Sequence, residues 1–212
     1  MADPAGGTGN RIMREARRIL HRFRNTPPAG LARTLWRAAR LGRRTFRQPT
    51  VPPREERVVV SLTTIPPRAG MLRPVLQSLI DQSVPADRIV LALPLRSRKG
   101  EPYPDPATLN LPAGIDAIRC DDEGPATKLL PALKLEPESV LIVVDDDVIY
   151  PYRFIETLLA AHRRNRRAAL GFRGVRLSPG VGFPALDHVF ATGVAGLTPV
   201  DVLFGTWGYL LP

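Results

Sequence analysis

Three consecutive carboxylates, Asp145, Asp146 and Asp147, follow directly on five apolar residues, 140–144. Acidic side chains this close repel one another, and beside a hydrophobic segment they are costly unless a cation neutralises them. Hard carboxylate oxygens suit Mg²⁺ or Mn²⁺, which commonly bridge a carboxylate to the phosphates of a substrate. A solvated acidic turn is the alternative. Lys128 closes a Gly-Pro-Ala-Thr-Lys stretch at the predicted start of a helix, where its charge and the helix N-terminus can both address an anion; a surface lysine is the alternative. Other ligand types offer little. Cys120 stands alone, which excludes an internal disulfide framework and a cysteine-rich zinc site. His21, His162 and His188 lack ligand spacing, and the first two, set among arginines, read as surface residues.

The elements that must hold these groups alternate between strand and helix. Residues 140–144 read as a strand covered on both faces, the pattern of a central parallel strand, and open α/β sheets bind ligands just past the carboxyl ends of such strands. A first strand is predicted over 57–64, ended by Pro66 and Pro67, with a helix over 72–82 whose Gln77 and Gln82 read as helix surface. A second strand over 87–93, a Pro-rich loop over 94–112, a third strand over 115–120 and a helix over 126–134 follow. Beyond the acidic strand come a helix over 151–167, begun by Pro151, and strands over 168–175 and 200–205. This order implies an α/β fold with a mainly parallel, doubly wound sheet.

The 212 residues and 44% hydrophobic content allow one sizeable α/β core and an appendage. The net charge of +10 is uneven: residues 1–57 carry 14 arginines against four acidic residues, and the remainder is balanced. Residues 11–24 place Ile12, Met13, Ala16, Ile19, Leu20 and Phe23 on one helical stripe among arginines, and residues 31–47 repeat the pattern with Leu31, Leu35, Trp36, Ala39 and Phe46. Pro49, Pro52 and Pro53 mark a linker, so the chain divides into a basic helical arm with its linker, 1–56, and a domain over 57–212. Apolar stripes with Trp and Phe opposite arginines favour an anionic membrane surface over nucleic acid, which needs no such stripe. Packing against a partner or the chain's own domain is the other alternative. No apolar run approaches the roughly 20 residues of a transmembrane span, and no uninterrupted apolar segment marks a secretory signal. The expected location is cytoplasmic, peripheral on the inner face of the membrane.

Five stretches, 61–68 (SLTTIPPR), 76–82 (LQSLIDQ), 124–131 (GPATKLLP), 144–150 (VDDDVIY) and 201–208 (DVLFGTWG), together resemble bacterial glycosyltransferases of the GT-A fold, close to the family 2 type. The resemblance spans roughly residues 57–211. It implies a nucleotide-sugar donor, a divalent metal (Mn²⁺ or Mg²⁺) and a DxD motif matched by Asp145 and Asp147, with Asp145 and Asp146 also on the donor side. It places Thr63, Thr64 and Arg68, at the end of the first strand, against the nucleotide, and Asp121 or Asp122, after the third, against base or ribose. For Arg68 a solvated loop arginine is the alternative. Gly205 and Gly208 around Trp207 either let backbone approach the sugar or make a turn packed by the indole. The acceptor is expected to be a glycan or a lipid-linked group.

A haloacid-dehalogenase-type phosphatase also places D-x-D after an apolar strand, but no later acidic pair follows here, and the contiguous acids exclude an EF-hand. A catalytically impaired nucleotide- or membrane-binding protein on a transferase fold is the reading from a different class. An inverting transfer needs a carboxylate base, and beyond the triplet only Glu156, Asp187 and Asp201 are acidic, so Asp187 or Asp201 is the expected base. Relative to similar transferases the acceptor portion is expected to be short or missing, with donor binding retained and transfer weak.

Overall fold

The computed structural model describes residues 36–37, 39–41, 49–178 and 186–212. The chain divides into two compact units, Met1–Arg43 and Arg44–Pro212. In the first, the described residues are helical, and the Arg40 guanidinium lies 5.6 Å from the centre of the Trp36 ring. The stripe expected over 11–24, His21 and most of the segment 31–47 lie outside the described residues. Among the described residues, no helix is long and apolar enough to cross a membrane.

In the second unit a six-stranded sheet is built from β1 (Val58–Thr63), β2 (Arg88–Pro94), β3 (Ile115–Cys120), β4 (Val140–Val143), β5 (Leu170–Gly171) and β9 (Tyr209–Leu211), in the order β3-β2-β1-β4-β9-β5. The first four run parallel, and β9 lies antiparallel to both β4 and β5. The fold is therefore mixed α/β with a mainly parallel central sheet. Helices cover both faces. α1 (Arg73–Ile80) and α3 (Phe154–His162) pack Leu76, Leu79, Ile155 and Leu159 against Val58, Val60, Leu62 and Ile142, while α2 (Leu130–Leu135) sets Ala132 against Val59, Val90 and Leu141 on the other face. Alternate residues of β1 thus serve two cores, each buried aliphatic side chain contributing about 1.5–3 kcal/mol. Three more strands, β6 (Arg173–Leu177), β7 (Leu186–Phe190) and β8 (Val202–Leu203), form a separate antiparallel sheet in the order β7-β6-β8.

Several boundaries differ from expectation. The helix expected over 126–134 is a 3₁₀ turn, Gly124–Lys128, followed by α2, because Pro131 has no N–H to extend the turn before it and must lie in the first turn of a new helix. The helix expected from Pro151 begins at Phe154, whose N–H closes a turn on the Pro151 carbonyl (3.1 Å), and ends at His162. The strand expected over 168–175 breaks at Phe172, its first half joining the large sheet and its second the small one. β7 and β9 lie in stretches for which no strand is predicted.

Three side chains read as surface residues are buried. Gln82, 5% exposed, donates to the Ser78 and Pro151 carbonyls (2.7 and 2.8 Å) and accepts from the Ile155 N–H (3.1 Å), so its amide joins α1 to the otherwise unsatisfied first turn of α3. Gln77 is fully buried. His162 is 6% exposed, and burial holds its imidazole below the ordinary value of 6.5. The Pro-rich segment expected as a linker belongs to the second unit: Arg54 pairs with Asp87, while Glu55 pairs with Arg166 and Glu56 with Arg163, just past α3, the last two pairs each at 2.8 Å.

Candidate functional site

The acidic triplet sits just past the carboxyl ends of β4 and β1. Val144 still donates to the Ser61 carbonyl (2.9 Å), so pairing with β1 carries the chain one residue beyond β4 before the carboxylates begin. The backbone N–H of Asp145 donates to the Tyr150 hydroxyl (2.7 Å), and Tyr150, 1% exposed, is itself fixed by its own N–H bonding Ser78 Oγ (3.0 Å) and by its ring 4.5 Å from Phe154. A buried aromatic therefore holds the entry to the acidic turn. Burial pushes the Tyr150 phenol well above its ordinary range, so it stays protonated.

The three carboxylates have different surroundings. Asp145 accepts from Lys128 Nζ (2.8 Å) and from the backbone N–H of Trp207 (3.1 Å). Asp146, its side chain 6% exposed, accepts from Thr64 Oγ1 (2.5 Å) and pairs with Arg68 (2.8 Å); burial raises its pKa even though Thr64 and Arg68 act to lower it. Asp147 is 42% exposed and meets Arg68 at 3.3 Å. Arg68 thus bridges two acids, and its Nε is buried without a hydrogen-bond partner.

The other expected donor residues are placed as follows. Thr64 serves Asp146, and its carbonyl accepts from the buried Tyr103 hydroxyl (3.0 Å), while Thr63 Oγ1 donates to the Ala92 carbonyl (2.7 Å). Both threonine hydroxyls are thus engaged within the protein. Lys128 is 17% exposed, held by Asp145, by the Gly205 carbonyl (2.9 Å) and over the Tyr209 ring at 5.9 Å. It is no free surface lysine. Asp122 accepts from the N–H groups of Arg98 (2.7 Å) and Gly124 (2.8 Å), tying the 94–112 loop to the turn before Lys128, and Asp121 beside it is exposed.

Among the described residues, no group of three or more His, Cys, Asp or Glu side chains converges as a metal cage. Asp145 and Asp147, which meet Lys128 and Arg68, flank the inward-turned Asp146 and keep 22% and 42% side-chain exposure. That donor set fits Mg²⁺ or Mn²⁺ held by one or two carboxylates together with substrate phosphates. It does not fit an all-protein site.

A turn, Gly205 to Gly208, carries the chain from the small sheet to β9. Within it Trp207 has φ 68, a left-handed conformation uncommon for a bulky residue, and Gly208 has φ 89. The Trp207 ring lies 6.2 Å from Phe190, which with His188 and Phe204 forms a connected set of rings on the small sheet, and Arg173 lies 5.1 Å from both Phe190 and Phe204. Sequence reasoning missed this cluster, although the i, i+2 spacing of His188 and Phe190 places them on one strand face. Of the two acids expected as the base, Asp187 lies on β7 and Asp201 directly precedes β8. Asp187 is 62% exposed, 3.8 Å from Arg176, and lines a cavity of about 360 Å³ with His188 and Phe190; Asp201 accepts from the Leu177 N–H (2.8 Å). Asp187, three residues from Phe190, lies on the opposite face of the strand from the ring cluster.

No family model matches the sequence, and no curated protein matches it. Among solved structures, the chain is similar to a mannosyltransferase from Pyrobaculum calidifontis in complex with GDP-Man and Mn²⁺, at 19% identity and a TM-score of 0.38. The match covers 68% of this chain and 41% of that one, so the chain spans less than half the length of the protein it matches.

Proposed function

We propose that the chain is a metal-assisted glycosyltransferase of the GT-A type, taking a nucleotide-sugar donor. The observation that carries this reading is the convergence of Lys128, Arg68 and Thr64 on the Asp145–Asp147 carboxylates at the carboxyl end of a central parallel strand. A departing nucleoside diphosphate develops negative charge on its oxygens, and the site must stabilise it. Asp145 and Asp147 would hold Mn²⁺ or Mg²⁺, which when bound supplies Lewis acidity toward those oxygens. Lys128 and Arg68 supply positive charge beside the same carboxylates, and Arg68 is the more exposed, at 38% against 17%. Asp146 anchors the turn through Thr64, and Thr63 ties the end of β1 to β2. Asp121 or Asp122 is proposed for the base or ribose; Asp121 is the more accessible. On the acceptor side, toward a glycan or a lipid-linked group, Asp187 is favoured over Asp201 because it lines a cavity.

The basic arm, residues 1–56, is proposed to dock on an anionic membrane surface, where each basic residue contributes roughly 1 kcal/mol, and to place the 57–212 domain at the inner face. One observation favours the second reading, a non-catalytic binding protein: each carboxylate of the triplet already meets Lys128 or Arg68. A thermal-shift series with GDP- and UDP-sugars, with and without Mn²⁺, separates the two. Bound ligand raises the midpoint by mass action. Stabilisation that needs Mn²⁺ and disappears in Asp147→Asn is the expected result, and equal shifts in that variant overturn the metal assignment.

A further inference from the structure

We propose that Arg68 is the resident counter-ion of the acidic turn, held on Asp147 until a divalent cation arrives together with a nucleoside diphosphate, and that its release from Asp147 couples the binding of the two. The inference rests on the metal-assisted reading above and assigns how that site fills.

The ion pairs of the triplet are unequal. Lys128 meets Asp145 at 2.8 Å and is also held by the Gly205 carbonyl at 2.9 Å. Asp145 in turn has both oxygens engaged, Oδ1 by Lys128 and Oδ2 by the Trp207 N–H. Arg68 meets Asp146 through Nη2 at 2.8 Å, on a carboxylate 6% exposed whose other oxygen accepts from Thr64. The contact of Arg68 Nη1 with Asp147, at 3.3 Å, is longer than either of these pairs, and its two side chains are 38% and 42% exposed. An ion pair of that length in reach of water contributes little. Asp147 is therefore the carboxylate that yields first to a competing cation.

The backbone beneath Arg68 is fixed, so the exchange belongs to the side chain. Pro66 and Pro67 open the 3₁₀ turn Pro66–Met71, the Arg68 N–H bonds the Ile65 carbonyl at 2.9 Å, and Ala69 beside it is buried. Nε of Arg68 is buried and lacks a hydrogen-bond partner, so the resting guanidinium leaves one donor unsatisfied. A side chain anchored on Asp146, loosely paired with Asp147 and short of one acceptor is placed to re-pair rather than to leave. With a divalent cation on Asp147, Arg68 gives up that carboxylate and takes a phosphate oxygen in its place, keeping Asp146 as its anchor. A cation alone gives Arg68 no new acceptor and must displace a positive charge, so by itself it binds weakly. A diphosphate alone meets carboxylates without their metal. Each ligand removes the other's obstacle, and linkage makes the gain reciprocal.

The test measures that linkage in the full chain. Affinity for Mn²⁺ is read from the electron paramagnetic resonance of the free ion, and affinities for GDP and UDP by calorimetry without metal and at saturating Mn²⁺. In the wild type at least one nucleotide should bind about 5- to 150-fold more tightly with Mn²⁺, the usual span of coupling between two sites, while Mn²⁺ alone binds weakly. Arg68→Met keeps an unbranched stem and removes the charge. It should bind Mn²⁺ alone about tenfold more tightly and lose about tenfold of the coupling, as expected when one positive charge near a divalent ion is removed in water-accessible surroundings. Arg68→Lys retains the charge and should stay close to the wild type in both measurements. Arg68→Met binding Mn²⁺ alone no more tightly than the wild type, or Mn²⁺ binding to the wild type without effect on either nucleotide, overturns this assignment alone. An equal gain in Arg68→Lys and Arg68→Met, the mark of a turn that has merely loosened, overturns it too. Absence of Mn²⁺ binding in all three proteins, with nucleotide present, overturns the metal-assisted reading beneath it.

Discussion

Tyr150→Phe removes one oxygen from the hinge of the acidic turn and leaves the rest of its support in place. The ring keeps its contact with Phe154, and the bond from its backbone N–H to Ser78 Oγ does not involve the hydroxyl and is retained in the variant. What is lost is the acceptor, at 2.7 Å, for the Asp145 N–H. An unsatisfied buried donor costs about 1–3 kcal/mol, and since Asp145 is only partly buried and water can reach part of the turn, the lower end applies, about 1–1.5 kcal/mol. The same loosening should appear in ligand binding, because a turn that is no longer fixed must be ordered when the diphosphate arrives. A cost of about 1.4 kcal/mol corresponds to a tenfold weaker Kd. Urea unfolding, followed by circular dichroism, gives the stability term. Calorimetry of GDP and UDP with Mn²⁺ gives the binding term. A variant with wild-type midpoint and wild-type Kd would refute the claim that this hydroxyl positions Asp145.

Gly208→Ala should destabilise by about 2–4 kcal/mol, combining left-handed strain with overpacking, because the new Cβ would stand 2.6 Å from Phe154 Cζ and 3.4 Å from Tyr150 Cε1; a loss below about 1 kcal/mol in denaturant would contradict that packing. His162 predicts a slope with pH. Its folded pKa is lowered by burial, so below the ordinary 6.5 the unfolded chain binds the proton first, and stability present above 6.5 is lost as pH falls through the lowered folded value. His162→Gln should flatten the unfolding free energy between pH 7 and 5, and an identical slope in both proteins would refute the assignment. For the arm, the full chain should sediment with phosphatidylserine vesicles and be released by high salt, while a chain lacking residues 1–50 stays in solution; sedimentation of the shortened chain would refute the membrane reading.

Much of the central sheet was legible in the sequence because its strands are buried on both faces. Continuous apolar runs in β1, β2 and β4 need no partner to be recognised, and β3 has the bounds expected of it. The acidic triplet was legible as a candidate site for a related reason, since three charges directly after such a run require neutralisation wherever the chain goes. Partners were a different matter. That Asp146 turns inward to Thr64, that Arg68 spans two of the acids and that Lys128 is enclosed by Asp145 and Gly205 depend on chain segments brought together across 17 to 82 residues. No local propensity records those distances.

The short elements were decided by tertiary packing. β9 has three residues, too few to show a period, and becomes a strand because β4 and β5 offer it two edges. The run 168–175 shows no break by propensity, yet it divides between two sheets, and that division sets Arg173 and Phe190 side by side. Gln82 and His162 carry polar side chains at the ends of amphipathic helices, where sequence assigns them to solvent. Gln82 is buried because the end of α1 meets the first turn of α3, and only the structure shows the orphan N–H of Ile155 that it satisfies; His162 is buried at the other end of α3, near Glu56. Composition and pattern thus determined the layers and the acidic motif, which depend on local hydrophobicity and charge. The aromatic cluster, the Asp187 cavity and the Tyr150 hinge depend on which strands pair, and pairing is a long-range property that three-residue strands and isolated polar side chains do not encode on their own.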